Sequence, residues 1–143
     1  MIVVDASVAV KWFLNEEHTE ESLAILETGR KLHAPIIAEC EVAGSFSRAL
    51  RRGDIDGTEA QNCFERWIHS LRTNVVSVSH DRDDVIAGHD LALKLEHPLA
   101  DCVYLAMAKR IGATLVTADK PFFDKAKKKH KVVFITDTKR LAA

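Results

Sequence analysis

The chain opens with Ile2-Val3-Val4-Asp5-Ala6-Ser7, a short run of β-branched residues that ends at an aspartate. β-Branched residues favour strands, so residues 2–4 are predicted to form a strand. The pattern over residues 6–14 is that of a helix, which begins directly after the aspartate. A strand followed at once by a helix is typical of α/β proteins.

The same alternation continues to the end of the chain. Further strands are predicted at residues 33–35, 75–78, 114–117 and 132–135. Helices are predicted at residues 19–29, 37–52, 83–95 and 120–129, with one more that is capped by Asp56 or Thr58 and reaches Leu71, and another opened by Pro98. No hairpin signal such as Asn-Gly joins adjacent strands. The predicted fold is therefore a central, mostly parallel sheet of four to five short strands flanked by helices.

Length and composition exclude several classes of protein. The chain has 143 residues, of which 47% are hydrophobic and 29% charged, so a single globular domain over residues 1–143 is expected. No apolar run approaches the roughly 18 residues of a membrane span, and no basic segment marks a secretion signal. The three cysteines, Cys40, Cys63 and Cys102, lie far apart without metal-ligand spacing, as expected for buried thiols in a reducing cytoplasm.

Four carboxylates are expected at one edge of the sheet. Asp5 directly follows the first strand, and Asp119 lies two residues beyond the end of the fourth. Asp101 falls in the first turn of the helix opened by Pro98, and Glu41 falls near the start of helix 37–52. In an open parallel sheet, ligands bind outside the carboxyl ends of the strands. These acids are therefore the candidate functional residues.

Each of these acids also has a structural interpretation. Asp5 and Asp119 precede helices, where aspartate is a favoured N-cap. Asp101 suits a first helical turn, although its helix is apolar nearly all round, so its charge needs a partner or a cation. Glu41 competes with Glu39, which a helical wheel places among apolar side chains. Periodicity leaves the choice between the two glutamates open.

Several carboxylate oxygens in one cleft suit Mg²⁺ or Mn²⁺. Such ions assist phosphoryl transfer by activating a water and stabilising the leaving oxygen, and nucleases often use two of them. The seven histidines show no zinc-ligand spacing, and neither a P-loop nor a dinucleotide-binding motif is present. The residues therefore indicate metal-assisted phosphoryl transfer.

Four segments, in order, match one known family. They are residues 2–7, Pro35 with Glu41-Val42, residues 97–101 followed by residues 104–106, and residues 114–119 with Phe122. The chain resembles the PIN-domain ribonucleases, and among them most closely the VapC-type toxin of VapBC toxin–antitoxin systems. The resemblance runs almost from end to end.

The resemblance implies a PIN fold and an endoribonuclease that depends on Mg²⁺ or Mn²⁺ and uses a metal-activated water. It implies an RNA substrate, a cognate VapB-type antitoxin and a homodimer. The implied catalytic and metal-binding residues are Asp5, Glu41, Asp101 and Asp119, supported by Ser7 and Thr117. The resemblance favours Glu41 over Glu39. The chain departs from many relatives at Gly44, where they have asparagine.

Two rival functions differ in what they require. A receiver-type phosphoacceptor domain needs an acidic pair after the first strand, whereas Asp5 stands alone. A PIN-like module that binds RNA or protein without cutting is the other alternative, and a full set of four acids disfavours it.

The charge distribution bears on an RNA partner. The net charge of −1 argues against nucleic acid, but residues 120–143 hold eight basic and two acidic side chains. The densest basic clusters are Lys127, Lys128, Lys129 and Lys131 in this tail, and Arg48, Arg51 and Arg52 at a helix end. Both clusters suit a solvated helix terminus as well as contact with RNA or antitoxin.

Overall fold

The computed structural model describes residues 1–141, and five segments of this part of the chain form a parallel sheet. The strands are β1 Ile2–Val4, β2 Leu32–Pro35, β3 Val76–Ser79, β4 Thr114–Thr117 and β5 Val132–Phe134. Their order across the sheet is β3-β2-β1-β4-β5, and every pair of neighbours is parallel. The predicted α/β class and parallel sheet are confirmed.

Helices cover the sheet. They are α1 Ala6–Ala9, α2 Thr19–Leu26, α3 Ile37–Arg52, α4 Gly57–Arg72, α5 Arg82–Leu95, α6 Leu99–Ile111 and α7 Lys120–Ala126. Short 3₁₀ segments follow α1 and β5, at Val10–Trp12 and Ile135–Leu141. Within residues 1–141, no helix has both the length and the apolar character needed to cross a membrane.

Four predicted helix boundaries were wrong. The helix predicted at 19–29 ends at Leu26. The helix predicted at 6–14 is one α-turn that tightens into a 3₁₀ turn. The helix predicted at 120–129 ends at Ala126, because the next three residues are lysines and offer no apolar side chain to bury. Pro98 takes the N-cap position of α6 and not its first turn. By contrast, Asp56 forms the expected cap of α4 through a capping box with Glu59.

The strand order locates the crevice of the sheet. The chain adds β2 and β3 on one side of β1 and then crosses to place β4 and β5 on the other side. The carboxyl ends of β1 and β4 therefore flank the topological switch point, where open α/β sheets bind ligands. A receiver domain has the order 2-1-3-4-5, so the position of β3 beyond β2 excludes that alternative.

The core is built from residues of the strands and of the helices that cover them. It includes Cys63 and Cys102, whereas Cys40 is exposed, so the prediction of a buried thiol is wrong for Cys40. The largest fully buried side chains of the core are Phe46, Trp67, Tyr104 and Phe122. Every residue from Cys102 to Ala108 is buried, so α6 is covered on all sides, as its apolar sequence predicted. Helix α5 packs closely on α6, since an added Cβ at Gly88 would lie 3.1 Å from backbone atoms of Val103. Helix α6 is thereby fixed against the sheet with Asp101 in its first turn.

Candidate active site

Asp5 occupies the N-cap position of α1, yet its carboxylate makes no capping hydrogen bond. Its Oδ2 instead accepts hydrogen bonds from the hydroxyls of Ser7 at 2.8 Å and Thr117 at 2.7 Å. The residue is only 3% exposed. The interpretation of Asp5 as a helix cap is therefore wrong, and its carboxylate is available to a site at the switch point.

Ser7 and Thr117 join the end of β4 to Asp5. The Ser7 hydroxyl accepts a hydrogen bond from the Ala118 N–H at 3.0 Å, and the Thr117 hydroxyl accepts one from the Asp119 N–H at 3.0 Å. Each hydroxyl thus accepts from a backbone N–H and donates its own proton to the carboxylate. This arrangement fixes Asp5 relative to the loop that carries Asp119.

Asp119 is a helix cap and also lies beside the other acids. Its Oδ1 accepts a hydrogen bond from the Phe122 N–H at 3.0 Å, so the cap interpretation is correct for this residue. Its Oδ2 lies 4.0 Å from His97 Nε2. Oδ1 of Asp119 therefore caps α7, while Oδ2 lies on the side of His97.

Asp101 is held by a relay of two basic side chains. The Lys125 ammonium lies 3.2 Å from His97 Nδ1, and His97 Nε2 lies 2.6 Å from Asp101 Oδ2. Because an ammonium only donates, Nδ1 accepts, so Nε2 carries the ring proton and donates it to Asp101. The imidazole stacks on Phe122, with ring centroids 4.7 Å apart. Lys125, His97 and Phe122 thus fix one oxygen of Asp101.

Glu41 is turned toward the site, and Glu39 is not. The buried hydroxyl of Tyr104 donates a hydrogen bond to Glu41 Oε1 at 2.7 Å. The Glu39 carboxylate has no hydrogen-bond or ion-pair partner among residues 1–141, and its backbone carbonyl accepts a hydrogen bond from the Trp67 indole. The buried stripe of α3 runs through Ala38, Val42, Phe46 and Ala49, with one glutamate on either side of it. The wheel preference for Glu39 is therefore not matched by the contacts.

In each of the four acids, one oxygen is held and the other is left without a hydrogen-bond partner among residues 1–141. The unpartnered oxygens are Oδ1 of Asp5, Oε2 of Glu41, Oδ1 of Asp101 and Oδ2 of Asp119. The held oxygens fix each carboxylate in place. The remaining oxygens are available to a ligand.

The acids also raise each other's pKa values. Burial raises the pKa of Asp5 to about 7, with a further contribution from the charge of Asp101. Burial raises the pKa of Glu41, and the charge of Asp101 adds to it against the Tyr104 hydrogen bond. Burial likewise raises the pKa of Asp101, to which Asp119 contributes, against the hydrogen bond from His97. The four carboxylates therefore form one electrostatically connected group.

The donor set fits a hard divalent cation. Single atoms of His97, Asp101 and Asp119 lie within 4.8 Å of one another, whereas Asp5 and Glu41 are not part of this close cluster in residues 1–141. Partly desolvated carboxylates that repel each other need positive charge, and oxygen-rich sites of this kind suit Mg²⁺ or Mn²⁺. We refer to Asp5, Glu41, Asp101 and Asp119 below as the acidic group.

His97 is a residue of the site that the sequence pattern did not predict. None of the histidines has zinc-ligand spacing, yet this imidazole contacts Asp101 and lies near Asp119. The signal was the separation of four residues between His97 and Asp101, at the start of a helix. Gly44, which departs from the family pattern, has open space where a Cβ would be.

The fold and site define an α/β protein with a carboxylate-rich site at the switch point of a parallel sheet. A profile of the PIN domain matches residues 2–129. The chain belongs to the PIN domain family, and the resemblance found in the sequence is confirmed.

Relatives and solved structures agree with this assignment. Ribonuclease VapC3 of Pyrobaculum aerophilum is 32% identical over 125 residues, which cover 87% of this chain and 93% of that protein. Ribonuclease VapC9 of Mycobacterium tuberculosis is 26% identical over 121 residues, covering 83% and 86%. A chain of a toxin–antitoxin complex from Klebsiella pneumoniae shares the fold with a TM-score of 0.72 at 16% identity, covering 94% of this chain and 98% of that one.

Proposed function

We propose that this chain is a metal-dependent endoribonuclease, the toxin of a VapBC-type toxin–antitoxin pair. The observation that carries the proposal is the acidic group, in which every carboxylate has one oxygen held by a protein donor and one unpartnered within residues 1–141. The printed names of the relatives, ribonucleases VapC3 and VapC9, support the same activity.

The proposed metal ligands are Asp5, Glu41, Asp101 and Asp119, and the proposed ion is Mg²⁺, with Mn²⁺ as the alternative. When bound, a divalent ion supplies Lewis acidity to phosphodiester hydrolysis and neutralises charge on the leaving oxygen. His97 is not among the proposed ligands, because its Nε2–H donates to Asp101 and its Nδ1 accepts from Lys125.

The side chains around the acidic group orient it. Ser7 and Thr117 hold Asp5, Tyr104 holds Glu41, and His97 holds Asp101. The hydroxyls of Ser7, Thr117 and Tyr104 are neutral donors, so they fix the direction of Asp5 and Glu41 without cancelling their negative charge. Asp101 differs, because its donor is an imidazole that is itself in contact with Lys125.

The decisive experiment for the activity compares RNA cleavage with and without divalent ion. We expect the purified chain to cut single-stranded RNA internally in Mg²⁺ or Mn²⁺ and to lose this activity in EDTA. Full activity in EDTA contradicts the metal mechanism. Binding of RNA with no cleavage under any ion condition supports the non-catalytic alternative.

The choice between the two glutamates is tested within one helix. Glu41→Gln removes a proposed ligand, whereas Glu39→Gln changes a residue on the far side of the buried stripe and serves as the matched control. We expect Glu41→Gln alone to stop cleavage. If Glu39→Gln is the inactive variant, the assignment of Glu41 is wrong.

The proposed partners are an RNA substrate, a VapB-type antitoxin and a second copy of the chain. The description of the Klebsiella pneumoniae structure as a toxin–antitoxin complex supports the antitoxin. Light scattering on the purified chain tests the homodimer, for which we expect twice the mass of 15.9 kDa. A monomer at working concentration contradicts it.

A further inference from the structure

Two clefts with basic side chains lie near the acidic group, although none of its four members lines either cleft. The first, of about 850 Å³, is reached at Ser7, whose hydroxyl is bonded to Asp5. The second, of about 1010 Å³, is reached at Lys125, which contacts the imidazole bonded to Asp101. We call them the α3 cleft and the α7 groove. Ser7 of the cleft contacts the proposed ligand Asp5 directly, and Lys125 of the groove is linked to the proposed ligand Asp101 through His97.

The α3 cleft continues the face of α3 that carries Glu41. Ser45, Arg48 and Arg52 follow at spacings of four, three and four residues, which places them along one side of the helix. Arg48 donates a hydrogen bond to Ser45 at 3.2 Å, and no acidic partner within 4.0 Å of either arginine is found among residues 1–141. From Glu41 to Arg52 the helix rises about 16 Å, the span of a few nucleotides.

Not every basic residue of α3 faces this cleft. Arg51 donates to Ser47 on another side of the helix and does not line the cleft. The cleft also has three acidic residues: Glu16 is paired with Lys11, Glu59 belongs to the cap of α4, and Asp54 has no basic partner within 4.0 Å among residues 1–141. Arg48 and Arg52 are therefore the cations free to meet a ligand there.

The α7 groove contains cations of two kinds. Lys94 is paired with Asp90 at 2.7 Å, and Arg110 with Asp84 at 2.8 Å. The remaining lysines of the groove have no acidic partner within 4.0 Å in the described part of the chain; they are Lys109, Lys125, Lys128 and Lys129. Lys127 differs from its neighbours because it pairs with Asp124 and does not line the groove.

We propose that one single-stranded RNA crosses the acidic group with its flanking phosphates on the α3 cleft at one side and the α7 groove at the other. This inference rests on the proposed function. Phosphates and the acidic group repel each other, so a strand held over that group needs cations on both flanks, and unpaired lysines and arginines supply them. The proposal names the path of the substrate and the residues that fix it.

The salt dependence of RNA binding tests the two flanks separately. Three double variants remove the same charge: Arg48→Gln/Arg52→Gln in the cleft, Lys128→Gln/Lys129→Gln in the groove, and Arg51→Gln/Lys127→Gln as the matched control. The probe is a fluorescent single-stranded RNA of about 12 nucleotides, in EDTA, between about 50 and 200 mM salt. Thermal unfolding checks that each variant is folded.

We expect the slope of log Kd against log salt to become shallower by roughly 1 to 1.5 for the cleft variant and for the groove variant, and to stay unchanged for the control. A change in only one of the two test variants, or an equal change in the control, overturns the two-sided path. Because binding is measured without divalent ion, failure of the nuclease assignment appears separately, as intact RNA in Mg²⁺ or Mn²⁺.

Discussion

Two aspartates of this protein are equally buried, but one is bonded to a charged side chain and the other to neutral hydroxyls. Asp5 and Asp84 are each 3% exposed. Asp84 accepts two hydrogen bonds from the Arg110 guanidinium, at 2.8 and 2.9 Å. Asp5 accepts two hydrogen bonds of similar length, but from the neutral hydroxyls of Ser7 and Thr117.

This difference separates a structural carboxylate from one kept for a ligand. The guanidinium neutralises Asp84, so that charge is satisfied within the fold. Hydroxyls orient Asp5 and leave its charge to be repelled by Asp101, and the pKa of Asp5 rises to about 7 through burial and that repulsion. Under the proposed function, a buried acid that is held by neutral donors beside other acids is a residue to which a cation would bind.

Removing the carboxylate charge should affect cleavage at Asp5 and stability at Asp84. We expect Asp5→Asn to reduce RNA cleavage at least about a hundredfold, because a ligand that contributes several kcal/mol to the transition state is lost. Its melting temperature should be unchanged or higher, since repulsion within the acidic group is relieved. Asp84→Asn is the control and should retain turnover per folded molecule. Normal cleavage by Asp5→Asn together with a lower melting temperature contradicts the comparison.

The raised pKa of Asp5 should make the stability of the folded chain depend on pH. Its pKa rises from 3.8 in the unfolded chain to about 7 in the folded one, chiefly by burial. The folded state therefore keeps a proton that the unfolded state has lost, and the stability this provides is full below about pH 4 and is lost as the pH rises to about 7. The loss amounts to at most about 1.4 kcal/mol per pH unit.

Urea unfolding in EDTA at several pH values measures this effect. We expect wild type and Asp5→Asn to be alike near pH 4 and wild type to become the less stable of the two toward pH 7. Parallel curves over the whole range would show that Asp5 has no raised pKa in the folded chain.

The ion pair at Asp84 should affect stability alone. We expect Asp84→Asn to lower the free energy of unfolding by about 1–3 kcal/mol, because the guanidinium loses a buried, charge-assisted partner. Arg110→Gln and the double variant complete the cycle that isolates the interaction. The exposed pair Asp90–Lys94 is the reference, and Asp90→Asn should cost less than about 0.5 kcal/mol. Equal costs at Asp84 and Asp90 would contradict the structural role.

The smallest effect is expected when one of the neutral donors is removed. Tyr104→Phe removes the hydroxyl that holds Glu41 Oε1 and leaves the carboxylate in place. We expect the affinity for Mn²⁺ to fall roughly tenfold, as for other residues that orient a metal ligand, while the chain stays folded. Calorimetric titration of the ion measures this change. An unchanged affinity means that Tyr104 contributes only to packing.

The fold was predictable from local patterns wherever burial and periodicity agree. The bounds of α3, Ile37–Arg52, match the predicted helix because Gly53 adopts the left-handed conformation that ends it. The predicted helix at 6–14 failed because its nine residues tighten into a 3₁₀ turn after Ala9. Topology required the structure, since the position of β3 depends on contacts far apart in sequence.

The candidate site was predictable in part. Asp5 and Asp119 follow from the rule that ligands meet the carboxyl ends of parallel strands. Periodicity failed at Glu41 because both glutamates flank the buried stripe, and only the family resemblance separated them. The separation of four residues between His97 and Asp101 was the one local signal for this histidine. Its contact with Lys125, 28 residues away, depends on the fold. Individual hydrogen bonds of this kind have no signature in the local sequence.

The central claim is that the acidic group binds a divalent cation whose charge the fold itself does not supply. Thermal unfolding of wild type and Asp101→Asn, with and without Mg²⁺ or Mn²⁺, tests it most directly. At an ion concentration about 100 times Kd, wild type should gain about 2.7 kcal/mol of stability, and Asp101→Asn should gain much less. No stabilisation of wild type by either ion, or an equal gain in the variant, would contradict the claim.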